Sequence, residues 1–134
     1  MPTARLLAVI PLLACFASCN RTQQGVACAP LTAVTSVRIA QKGSGQPHQF
    51  VIDDRYQVQG LVDFANGRRG GFSARHAPLP AATTSAAFYN GSESLITFGA
   101  GQNFFSISCP GYTGVEEANR VQIAEFERLL SEQP

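Results

Sequence analysis

The sequence predicts an α+β domain: an antiparallel sheet of about five strands with two helices packed on one face. Three observations predict it. Short segments rich in β-branched and aromatic residues alternate with period two. The last three of these are separated only by tight-turn signals, which makes them an antiparallel meander. Two other segments repeat apolar residues at the spacing of one helix face.

Ala33 to Ala40 reads as the first strand, with Ala33, Thr35, Val37 and Ile39 on one face. Gln41 to Pro47 holds Gly43, Gly45 and Pro47, and forms a hairpin-like loop. Gln49 to Ile52 gives the second strand. Asp53-Asp54 then opens a helix whose face is Val58, Leu61, Val62 and Ala65. Asp54 caps the free N–H groups of the first turn, and both carboxylates suit the positive end of the helix dipole. Asn66-Gly67 stops this helix. Gly60 lies inside it at a cost of about 1 kcal/mol relative to Ala, and marks a close approach to the sheet.

Arg68 to Thr83 is a long loop containing Gly70, Gly71, Pro78 and Pro80. The meander follows: Thr84 to Tyr89, Ser94 to Phe98 and Asn103 to Cys109. Asn90-Gly91 joins the first two strands, since both positions tolerate φ > 0. Gly99 to Gln102 joins the next two. Phe105, Ile107 and Cys109 share a face, which points Cys109 into the core. Pro110-Gly111 ends the sheet. The second helix falls between Val115 and Glu132, with Ile123, Phe126, Leu129 and Leu130 inward and Thr113 to Glu116 as a capping box. The order is β-β-α-β-β-β-α, and Ser and Thr wet the sheet face that the helices leave open.

Hydrophobic residues make up 45% of the 134-residue chain and charged residues 14%. Globular chains carry about a quarter charged residues, so this one is charge-poor but has enough apolar surface for a core. A formal net charge of +1 excludes the basic footprint of a nucleic-acid binder.

The first residues depart from the rest. Arg5 precedes an uncharged run from Leu6 to Ser18 that closes on small residues. These are the parts of a secretory signal peptide. The run is too short for a membrane span of about 20 residues, and Pro11 interrupts it. Phe16-Ala17-Ser18-Cys19 resembles the lipobox of bacterial lipoproteins, as does Leu12-Leu13-Ala14-Cys15. That resemblance implies cleavage just before the Cys, a diacylglycerol on its thiol, and usually an acyl group such as palmitate on its new amine. Asn20 after the Cys, where the family's inner-membrane retention signal is usually Asp, implies the outer membrane, facing the periplasm.

Cysteine parity bears on the choice. With the lipid on Cys19, Cys15 leaves with the signal, and Cys28 and Cys109 can pair. With the lipid on Cys15, one exported thiol is left over. An ordinary secreted protein with Cys19 in a disulfide is the alternative. The organisation is then a signal over 1–18, a lipidated tether over 19–30 and one small domain over 31–134. A Cys28–Cys109 bridge would contribute on the order of 4 kcal/mol.

Catalytic motifs are scarce. His48 and His76 lie in no metal-binding frame, and no G-x-S-x-G elbow surrounds a serine, Ser44 included. The residues imply no cofactor and no metal. The candidate ligand site is the loop of Arg68, Arg69, Gly70 and Gly71, where two guanidiniums beside flexible N–H groups can hold a phosphate or carboxylate. Two readings follow. One is a non-catalytic lipoprotein, held to the membrane by its lipid, that binds an envelope protein or polymer. The other is a small periplasmic hydrolase or anion-binding enzyme using His76 with Arg68, Arg69 or Arg75.

Overall fold

A computed structural model describes residues 27–43, 45–75 and 78–131. The elements are β1 (Ser36–Gln41), β2 (His48–Ile52), α1 (Arg55–Arg68), β3 (Ser73–Ala74), β4 (Thr84–Asn90), β5 (Glu93–Ala100), β6 (Phe104–Cys109), β7 (Tyr112–Glu117) and α2 (Arg120–Ser131). The α+β class holds: the described residues form one antiparallel sheet of seven strands, in the order β2-β1-β4-β5-β6-β7-β3, with two α-helices.

Period-two alternation sets the two faces. Val37, Ile39, Phe88, Ile96, Phe98, Phe105 and Ile107 lie in register on one face and are buried. Both helices cover that face. Phe64 of α1 meets Phe98 and Phe105 edge-on, at centroid distances of 5.8 and 5.7 Å. Phe126 of α2 lies 5.2 Å from Phe98. Burying each such ring contributes about 1.5–3 kcal/mol. Asp54 caps α1 by accepting a hydrogen bond from the Gln57 N–H at 3.0 Å.

Five expectations are corrected. First, the sheet has seven strands. Pro110-Gly111 does not end it but turns it back into β7, with Gly111 at φ +80°. β7 reads Tyr-Thr-Gly-Val-Glu-Glu and lacks apolar alternation, because its inner positions are Tyr112, Gly114 and Glu116. β3 is too short to leave a periodic signal. Second, α2 begins at Arg120, and its capping box is Asn119 with Gln122, not Thr113 with Glu116. The Asn119 side chain accepts from the Gln122 N–H and the Gln122 side chain from the Asn119 N–H, both at 2.9 Å.

Third, α1 runs through Asn66-Gly67 to Arg68. Asn66 is held by tertiary bonds: it accepts from the Leu31 N–H at 2.8 Å and donates to the Leu31 carbonyl at 3.0 Å. Fourth, Gly60 approaches α2 rather than the sheet; a Cβ there would stand 3.6 Å from Leu129 Cδ2. Fifth, at the Asn90-Gly91 turn only Gly91 takes positive φ (60°), while Asn90 stays in β4 opposite Glu93.

On the open face, Gly99 allows close packing. A Cβ there would stand 2.6 Å from Ser106 Oγ and 3.0 Å from Ala82 Cβ. The segment leading into β4 therefore lies directly on this part of the sheet.

Candidate functional site

The described residues begin with a stem pinned to the domain at three points. Cys28 is bonded to Cys109 at the end of β6, with a Cα–Cα distance of 5.8 Å. The Cys28 carbonyl accepts a hydrogen bond from Arg69 Nη1 at 3.1 Å. Three residues on, Asn66 grips both backbone groups of Leu31. Beside the stem lies a groove of about 680 Å³, lined by Pro30, Leu31, Glu93, Leu95, Ile96 and the disulfide. Its walls are mostly apolar.

Both arginines of the loop expected to hold an anion contact protein groups. Arg68 leaves the end of α1 and crosses to β7, where Nη1 donates to Glu116 Oε1 at 2.9 Å. Glu116 sits on the helix-covered face, its side chain only 12% exposed. The Arg68 guanidinium also stands over the rings of Phe105 and Phe64, at 5.1 and 5.4 Å. Arg69 turns to the stem. Gly70 is exposed and open around its Cα, whereas a Cβ at Gly71 would meet the Glu116 carboxylate. The two guanidiniums are thus directed to separate protein acceptors, not to a common point.

Removing Arg68 alone leaves Glu116 half-buried and unpaired. Arg68→Met is expected to destabilise the domain by about 2 kcal/mol. Arg68→Met combined with Glu116→Leu should recover most of that loss. A double-mutant cycle on chemical unfolding measures both. Stabilisation of the wild type by inorganic phosphate, abolished by Arg68→Met, would instead restore the anion reading.

The remaining candidates are spread out. His48 is exposed at the start of β2, with its ring 5.2 Å from that of Phe50. Arg75 is exposed, and its backbone pairs with Thr113. Asp53 is exposed and Asp54 is occupied as the helix cap. His76, Ser44, Cys15 and Cys19 lie outside the described residues. Among the described residues no group of three His, Cys, Asp or Glu side chains could hold a metal ion, and no helix is long and apolar enough to cross a membrane. The Arg128 guanidinium, hydrogen-bonded to Glu125, holds that carboxyl below the usual carboxylate range. This pair lies on the exposed side of α2 and faces no cavity of the site.

A surface the sequence only hinted at is the open face of the sheet. Ser85, Tyr89, Thr97, Ser108 and Thr113 line it by strand parity. Arg38 projects from β1 with its guanidinium 4.1 Å from the centre of the Tyr89 ring. Phe104 and Glu117 lie on the same face, and its hydroxyls, aromatic rings and charged groups suit hydrogen-bonded and stacked contacts with a polar partner. No family model, curated protein or solved structure matches this chain.

Proposed function

We propose that this chain is an envelope lipoprotein whose small non-catalytic domain binds a protein or polymer of the envelope. Cys19 carries the lipid, residues up to 30 tether the domain, and the anchor is the outer membrane on its periplasmic side. The observation that carries the reading is the Cys28–Cys109 disulfide, placed where the tether meets the domain. A disulfide persists in an oxidising compartment and suits an exported chain. It also uses both cysteines of the folded part, leaving Cys15 to the signal and Cys19 to the lipid. Two or more acyl chains would hold the domain stably, where one holds only marginally. The open sheet face, with Arg38 and Tyr89, is the binding surface.

Metabolic labelling with palmitate tests the anchor. Label is expected in the wild type and absent from Cys19→Ala. Label kept by Cys19→Ala and lost from Cys15→Ala moves the lipid to Cys15, and an unlabelled wild type refutes the anchor altogether. Co-purification from the solubilised envelope tests the surface. The partner should be retained by the wild type and lost from Arg38→Ala with Tyr89→Ala.

A further inference from the structure

The two edges of the sheet differ. β3 is two residues long, and so blunted by its shortness. β2 is five residues long and, among the described residues, is hydrogen-bonded to β1 alone. Alternate backbone N–H and C=O groups of His48–Ile52 therefore point outward. The usual guards of an edge are charges, bulges and proline within the strand. Pro47 stops short of β2, and no Asp, Glu, Lys or Arg occurs from Gly43 to Ile52. Val51 is left 58% exposed.

Both faces of this edge are hollowed. On the helix side a depression of about 570 Å³ is lined by His48, Phe50, Glu127 and Leu130. On the open side a second, of about 330 Å³, is lined by Arg38, Gln49, Val51 and Ala87. An added strand would direct alternate side chains into the two hollows.

We propose that the occupant is β2 of a second copy of this chain, paired antiparallel about a twofold axis. Phe50 faces Phe50, Gln49 faces Val51 and His48 faces Ile52. β2 itself is neutral and so meets its own copy with no like charges opposite one another. Self-pairing also covers Val51 and sets two aromatic rings across the axis. Because β3 is too short to pair with β2, head-to-tail growth is disfavoured, and the assembly closes as a dimer rather than a fibre. This inference does not depend on the lipid anchor.

Sedimentation velocity of the full chain, in density-matched detergent, tests it. The wild type is expected to move from monomer to dimer as concentration rises. Gln49→Lys with Val51→Lys places lysine opposite lysine twice and should weaken dimerisation about tenfold or more. Gln49→Lys with Val51→Glu places opposite charges across the same two pairs and should dimerise at least as well as the wild type. Val121→Lys, at a residue 78% exposed on α2, should leave the dimer intact. The proposal is overturned if the wild type stays monomeric, leaving β2 to a strand of another protein. It is equally overturned if both double variants behave alike.

Discussion

Phe98→Ala is expected to be the most damaging single substitution in this domain, lowering the free energy of unfolding by about 3–5 kcal/mol. Phe98 is 0% exposed. Its ring is the hub of the core, meeting Phe64 of α1, Phe126 of α2, Phe105 of β6 and Phe72 between α1 and β3. Truncation removes the transfer energy of one ring and leaves a void that four rings from four parts of the chain would have to shift together to fill. The thermal midpoint should fall by more than about 10 °C. Val121→Ala, on the exposed side of α2, should stay within about 0.5 kcal/mol of the wild type. Calorimetry on both variants checks this; a loss under about 1 kcal/mol for Phe98→Ala would mean that the aromatic core is not packed as described.

Cys109→Ala is the second. The bridge spans 81 positions of sequence, and removing it frees the unfolded chain by about 4 kcal/mol in the chain-entropy account. The folded state loses a pin on the stem but keeps the grip of Asn66 on Leu31, so the domain should remain folded at a lower midpoint. Reductant should bring the wild type to the midpoint of the variant and leave the variant unmoved. Equal midpoints for the oxidised wild type and Cys109→Ala would refute a stabilising bridge.

What was legible in the sequence were segments with a strong period of their own. The inner face of α1, from Val58 to Ala65, and that of α2, from Ile123 to Leu130, are buried as their spacing implies. The alternating strands β4, β5 and β6 are likewise where their patterns put them. β7 was illegible because two of its inner positions are a glycine and a glutamate, residues that elsewhere mark turns and surfaces. The partners of the candidate loop were illegible for the same reason. Arg68 is followed by another arginine and two glycines, and its partner Glu116 is 48 residues away in that unread strand. Local sequence shows that a charge is present but not what neutralises it.

By itself, then, the sequence determined the fold class, the inner face of each helix, the central strands and a cysteine count that favours pairing Cys28 with Cys109. These follow from periodicity and parity, which need only near neighbours or a simple count. The tertiary structure alone decided that β1 lies beside β4, that Glu116 draws Arg68 off the surface, and that Arg69 and Asn66 hold the stem. It also decided which strands form the edges of the sheet among the described residues. Each of these joins residues tens of positions apart, and such contacts form only when burial of the shared phenylalanine core offsets the entropy of closing the loops between them.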